Sequence, residues 1–454
     1  GSLSQLNFKT MPERKKPSLE KAIPKSRIGR FSRIARMVGG VAGGMLAEGA
    51  RQLGEGKRPK VGDMILTPGN AKRVAKQLSA MRGAAMKIGQ LLSMETDALL
   101  PEELADILAQ LRDSAYAMPR DQLESVLTQA YGADWLSGFK HFDNQPLAAA
   151  SIGQVHRATT LDDEEIVLKV QYPGVVNSID SDVDNIAWLL KISNLLPAHM
   201  DISELLNDAK VQLKEEANYQ LEGQHLASFY QTLIDDERYI IPWYYDELST
   251  ESVLAMEYVE GEPVEKLEGL GAEERNQLML NLFELMLREL FELRLMQTDP
   301  NFANYQYQRE TQQIVLLDFG ATRSFNARFV VDYKRLIRAV IAQDDSLIID
   351  AADRLGYHAS ISSDEYRRFL VEVFNIALEP FKHDSVFDFA NSELSERLSE
   401  LSDRAYGFKE FWQTPPTDIL YLHRKLGGMF LLATRMQAQV NCHQLVQPWI
   451  TRLR

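Results

Sequence analysis

The sequence predicts a mixed α/β chain of two lobes with a helical extension on its N-terminal side. Three observations carry this prediction. Apolar residues recur at helical spacing through residues 70–135. The period turns strand-like over 141–172 and again in two short runs within 238–260. From 272 onward the pattern is mostly helical, broken by QTDPNFANYQYQ and by QIVLLDFG. The 454 residues therefore divide into a basic arm (1–60), a helical extension (61–140), a β-containing N-terminal lobe with inserted helices (141–260) and a helical C-terminal lobe (261–454).

The arm differs in charge from everything after it. Residues 1–60 hold 14 Lys and Arg against 4 Glu, while the whole chain carries −14, so the body carries −24. An acidic body argues against general nucleic-acid binding, which needs a basic surface to release counterions. A basic arm on such a body points to an anionic surface, with membrane lipid as one candidate. Residues 1–25 read as disordered. In 27–38, Ile28, Phe31, Ile34, Ala35 and Val38 share one helical side, and Arg30, Arg33 and Arg36 the other. Such a segment can lie on a bilayer or pack on its own protein. The spacings Gly39–Gly43 and Gly40–Gly44 suit close helix packing, which allows a homodimer, or a hinge. The apolar run stops at Glu48, too short to span a bilayer. Gly1-Ser2 reads as a cloning remnant. One cysteine, Cys442, excludes an internal disulfide framework.

In the extension, Leu78, Met81, Ala85, Ile88 and Leu92 mark one helix face, and Pro101 and Pro119 mark breaks. The N-lobe begins with ASIGQVHRATT and VLKVQY, joined by the acidic turn LDDEE. Helices fill 178–230, and the strand runs RYIIPWYY and SVLAMEYV follow. The eight histidines are scattered, which disfavours a transition-metal site. The helix after FKEFWQTPP carries an apolar stripe that core packing explains.

Four pieces, read in order, carry chemistry. AAASIGQV (Ala148–Val155) stands between candidate strands, where a kinase has G-x-G-x-x-G-x-V. Aligned on Gly153 and Val155, Ala148 and Ala150 replace the first two glycines. Backbone N–H groups can still face phosphates there, with added methyl groups narrowing the approach. VLKV then places Lys169 among apolar neighbours on a strand, the position of a phosphate-holding lysine. In DPNFAN, Asp299 and Asn304 have catalytic-loop spacing: Asp299 to orient or accept the proton of a hydroxyl, Asn304 to bind Mg²⁺ by its amide oxygen. LLDFG ends a β-run with Asp318, a hard oxygen ligand for Mg²⁺. Each piece alone is a common turn or a solvated side chain; their order and spacing together point to a two-lobed protein kinase-like fold binding ATP/ADP and Mg²⁺. Glu257 and Val259, at the end of SVLAMEYV before Gly261, fall where a hinge receives adenine by its backbone.

The chain also carries Lys87-Ile88-Gly89-Gln90, the alanine-rich Ala148-Ala149-Ala150-Ser151, QTDPN at 297–301 and LDFGATR at 317–323. With these strings it resembles the UbiB/ADCK family of atypical kinases, coenzyme Q type, over roughly residues 70–445. The resemblance implies that the K-x-G-Q helices form an N-terminal extension covering the place of a protein substrate. It implies that Glu222 pairs with Lys169, and that Lys87 approaches Glu216. Where the family has E-x-D, this chain has Glu216-Ala217-Asn218, one negative charge fewer. No A-P-E follows the DFG, which leaves little room for an activation segment that docks a peptide. The family's association with ubiquinone biosynthesis, lipid-responsive ATP hydrolysis and membranes implies anionic or quinone-like lipid and quinone-biosynthesis proteins as partners. It implies peripheral membrane association, cytoplasmic in a bacterium or on the mitochondrial matrix side in a eukaryote. Two other readings remain open here: a small-molecule kinase with Asp299 as base, and a nucleotide-gated membrane scaffold without phosphoryl transfer.

Overall fold

The computed structural model describes residues 19–20, 81–96, 116–192, 202–299, 304–405 and 417–452. The amphipathic 27–38 segment, the glycine-spaced stretch after it, Leu78 and Pro101 lie outside the described residues. The described chain divides into two compact units. The first takes residues up to Gly223 together with Tyr244–Tyr258; the second takes Gln224–Trp243 and everything from Val259.

In the first unit, three strands buried along most of their length and a more exposed one form a four-stranded antiparallel sheet. Phe139–Ala149 pairs with Gly153–Thr160, which pairs with Glu165–Gln171, which pairs with Val253–Glu257. The acidic turn closes the second hairpin, with Thr160 N donating to Glu164 O and Asp163 at φ 63°. Two cores flank this sheet. In one, the Arg120–Tyr131 helix supplies Leu123, Val126 and Leu127 to Phe139, Phe142, Leu168 and Val170. In the other, Met81, Ala85, Ile88 and Leu92 from the N-terminal side and Arg82–Thr96 helix pack on the Ile179–Ile192 and Ser203–Glu216 helices. The helical face read from the sequence is thus the buried face.

The second unit is mainly helical. The Ala272–Arg288 helix contributes Phe283 to an aromatic core with Phe389 and Phe430, the last from the Thr417–Arg435 helix. A small sheet orders Tyr239–Ile240, Gln313–Leu316, Tyr305–Gln308 and Glu262–Pro263. A separate two-stranded ladder joins Leu295–Gln297 to Thr322–Ser324. Among the described residues, no helix is long and apolar enough to cross a membrane.

Candidate functional site

In the first unit, Lys169 stands mid-strand, in register between Val155 and Leu254. Those neighbours bury its stem, so the ammonium needs an anion. Nζ donates to Glu222 Oε1 at 2.8 Å, and the two side chains are 11% and 2% exposed. Glu222 lies in the first turn of the Tyr219–Leu233 helix. That helix starts where it does because Asn218 Oδ1 accepts Leu221 N–H at 3.1 Å. Asparagine and aspartate cap equally well, so the missing family aspartate leaves the helix start intact. Gly223 permits the next contact: a Cβ there would meet the Tyr244 ring at 2.3 Å.

Lys87, which residue patterns alone would leave on a surface, is 4% exposed. Nζ donates to Glu216 Oε1 at 2.5 Å and to Gln90 Oε1 at 3.4 Å. Lys and Gln of the K-x-G-Q string thus share one helical turn and one network. The same helix presses on the alanine-rich turn, because a Cβ on Gly83 would meet Ser151 O at 2.3 Å.

That turn is shorter than the sequence string. Ala148 and Ala149 are strand residues, opposite Val155 and Gln154. Ala150, Ser151 and Ile152 make the turn, closed by Ala150 N donating to Gly153 O at 2.9 Å. Ala148, Ala149 and Ser151 are exposed, whereas Ile152 anchors in the helical core. Gly153 is required by packing: a Cβ would lie 2.1 Å from Val170 O. Behind the sheet, Gln154 accepts from Met118 N and shares a 2.6 Å hydrogen bond with His156, which bonds Asp143 O. Glu257 closes its strand half-buried.

In the second unit, Asp299 follows the Leu295–Gln297 strand. Thr298 N and Oγ1 both donate to Ala321 O, at 3.0 and 2.8 Å, fixing this strand end to the segment after the DFG. Asn304 is buried beside Tyr305, while residues 300–303 lie outside the described residues. Tyr305 is paired with Leu316, so Asn304 and Asp318 stand at the same end of one antiparallel ribbon. Asp318 Oδ1 accepts Gly320 N–H at 2.9 Å. Phe319 is buried edge-on against Phe229, centroids 5.0 Å apart. Val259 is buried at the start of this unit's second segment.

A carboxylate and an amide at one ribbon end are hard oxygen donors of the kind Mg²⁺ takes, and would hold such an ion. The buried Asn304 Nδ2 has no hydrogen-bond partner among the described residues. Among the described residues no three His, Cys, Asp or Glu side chains gather into an all-protein cage. The donor set fits a metal shared with a nucleotide. Sequence reasoning passed over two buried charged side chains of this unit, Glu289 and Lys425. The one signal for Lys425 was a charge inside the apolar stripe of its helix.

Strand lysine paired to helix glutamate, alanine-rich turn and DFG ribbon define a kinase-like protein. Residues 110–352 match the ABC1 atypical kinase-like domain. The chain is 36% identical over 436 residues to atypical kinase COQ8, mitochondrial, of Saccharomyces cerevisiae, covering 95% of this chain and 87% of that one. It is 36% identical over 443 residues to atypical kinase COQ8B, mitochondrial, of Rattus norvegicus, covering 96% and 83%. The Mycobacterium tuberculosis protein Rv3197, solved with erythromycin, has a similar fold at TM-score 0.55 and 22% identity, over 84% of this chain and 96% of that one. The chain belongs to the ABC1 (UbiB/ADCK) family of atypical kinases.

Proposed function

We propose that the protein is a Mg²⁺-dependent ATPase of the atypical kinase type, supporting ubiquinone biosynthesis at a membrane surface. The observation that carries the reading is the buried Lys169–Glu222 pair. A strand lysine fixed by a helix glutamate is the arrangement that holds nucleotide phosphates in kinase-like enzymes. Bound Mg²⁺-nucleotide supplies the transferable phosphoryl group and a cation that neutralises its charge. In one unit, Lys169 binds phosphate oxygens, Glu222 keeps its ammonium aimed, and the backbone of Ala150–Gly153 faces the phosphates. In the other, Asp318 and Asn304 hold the metal, and Asp299 orients the attacking water. Glu257 and Val259 offer backbone groups to adenine.

The Lys87–Glu216 contact supports hydrolysis over transfer to proteins. It fastens the K-x-G-Q helix beside the alanine-rich turn, as the family resemblance implies for a covered substrate groove. The UbiB/ADCK resemblance also supports ubiquinone biosynthesis, with quinone-biosynthesis proteins as partners. The basic 1–60 arm supports binding to anionic lipid, on the matrix side in a mitochondrion or peripherally in a bacterial cell. Self-association through the glycine-spaced stretch belongs to the same reading.

The test is ATP hydrolysis with Mg²⁺, with and without anionic liposomes, beside Asp318→Asn. Turnover in the wild type, rising with lipid and falling at least about 100-fold in the variant, is expected for loss of a metal-binding electrostatic group. Wild-type turnover no higher than the variant's under both conditions rejects the ATPase. A phosphorylated metabolite in place of free phosphate would make it a small-molecule kinase.

A further inference from the structure

The Thr417–Arg435 helix buries Ile419, Leu422, Leu426, Met429 and Phe430 along one stripe. Lys425 lies in that stripe, 1% exposed. An ammonium buried in such a place costs several kcal/mol unless other groups compensate. Its compensation comes from one neighbourhood. Nζ donates to Tyr305 Oη and sits 4.5 Å from the Tyr305 ring centroid. Its charge interacts with the carboxylates of Glu289 and Asp299, against the downward pull of burial on its pKa.

Glu289 is unusual in its own right. It is fully buried, and neither carboxylate oxygen has a hydrogen-bond partner among the described residues. It opens a π-helical turn, Glu289–Leu293, which ends at Arg294 in the left-handed region (φ 53°) and leads directly into the Leu295–Gln297 strand and Asp299. Single π-turns interrupt regular helix hydrogen bonding and recur at functional sites. One buried cation therefore interacts with the residue that begins the approach to Asp299, with Asp299 itself, and with Tyr305, the residue after Asn304.

We propose that Lys425 is a positioning residue for this site: a buried ammonium that, by gripping Tyr305, fixes Asn304 at the ribbon end. It reaches the chemistry through Asn304. The inference rests on the ATPase reading for its kinetic readout and on the nucleotide and Mg²⁺ site proposed above for its binding readout.

The test compares Lys425→Met with wild type, each alone and combined with Asn304→Ala. Hydrolysis is expected to fall on the order of 10–100-fold in Lys425→Met, as for a misplaced catalytic group. In the Asn304→Ala background the same substitution is expected to cost less than about two-fold, because residues acting through one another are not additive. An equal loss in both backgrounds, or no loss in the first, overturns the proposal. If the wild type hydrolyses no more than Asp318→Asn, the ATPase reading fails, and the Mg²⁺ increment to the ADP-induced Tm shift decides this one. Loss of that increment in Lys425→Met supports it, and an unchanged increment overturns it. Should Lys425→Met not fold, Glu289→Gln/Lys425→Met replaces it, removing the carboxylate left behind. If that variant also fails to fold, Lys425 is a structural core group and the proposal is wrong.

Discussion

Lys169 and Glu222 show what a buried ion pair demands of single residues. Each is taken out of water on an apolar frame, and each is stable there because the other is 2.8 Å away. Removing one takes from the other its charged partner at 2.8 Å in a buried place, an expensive loss. Glu222→Ala is therefore expected to destabilise the protein by about 3 kcal/mol in denaturant unfolding. Glu222→Gln keeps an acceptor for the ammonium and is expected to cost less. A loss below about 0.5 kcal/mol for Glu222→Ala, the level of an ordinary surface change, would show that Lys169 finds another anion. Lys169 was legible in the sequence because a lysine flanked by Val167, Leu168 and Val170 has no other reason to lie in a buried strand. Lys87 was not legible from the pattern alone. Helical spacing puts it beside the apolar face, where a solvated lysine and a buried one look the same. Only its string with Gly89 and Gln90 marked it. Lys425 was hidden more deeply, since its anions Glu289 and Asp299 are over 100 residues away in sequence.

At the scale of elements, close approach decides which substitutions the fold accepts. Gly83 and Gly427 are both helical glycines in opposite situations. A Cβ at Gly83 would meet the backbone oxygen of Ser151 at 2.3 Å, and backbone cannot rotate away; at Gly427 it would meet nothing within 4 Å. Gly83→Ala is expected to lower stability by about 1–3 kcal/mol, the range for overpacking. Because the atom displaced belongs to the alanine-rich turn, the proposed function adds that weaker nucleotide binding should accompany it. Gly427→Ala should raise stability by up to about 1 kcal/mol through helix propensity. Matching Tm values for the two variants would contradict both assignments. The elements themselves were largely legible. The runs ASIGQVHRATT, VLKVQY and SVLAMEYV became strands of the first sheet, whereas RYIIPWYY keeps only Tyr239–Ile240, in the second unit's sheet; Met81, Ala85, Ile88 and Leu92 became a core face. The extent of the alanine-rich turn was not. Ala148-Ala149-Ala150-Ser151 reads as one loop, yet the strand ladder continues through Ala149, because alanine leaves the choice between strand and turn to its cross-strand partners.

For the molecule as a whole, acid is the condition that tests both units at once. Each unit holds one histidine whose pKa is lowered by desolvation to about 4: the buried His156 in the first and the half-buried His423 in the second. His156 has its tautomer fixed by its neighbours. Asp143 O can only accept, so Nδ1 carries the proton. Nε2 must then accept from Gln154 Nε2, whose Oε1 is in turn engaged by Met118 N–H. Protonating Nε2 would set a donor against a donor, and flipping the Gln154 amide would only move that clash to Met118. His423 shares its Nε2 with the buried Tyr333 hydroxyl at 2.8 Å. For a group whose folded pKa is depressed, the stabilisation is present above the unfolded value, here about 6.5, and is lost as pH falls toward the folded value of about 4. Asp236, whose carboxyl is held down first by its hydrogen bond from Arg238, loses its contribution only below its ordinary carboxylate range, so the windows separate. Tm is therefore expected to fall between pH 6.5 and 4 more steeply in the wild type than in His156→Gln or His423→Gln, since glutamine takes up no proton in that range. Parallel pH profiles in all three proteins would mean that neither histidine is held neutral by the fold. A flatter profile in His156→Gln alone would locate the acid-sensitive step in the unit that carries Lys169 and its glutamate.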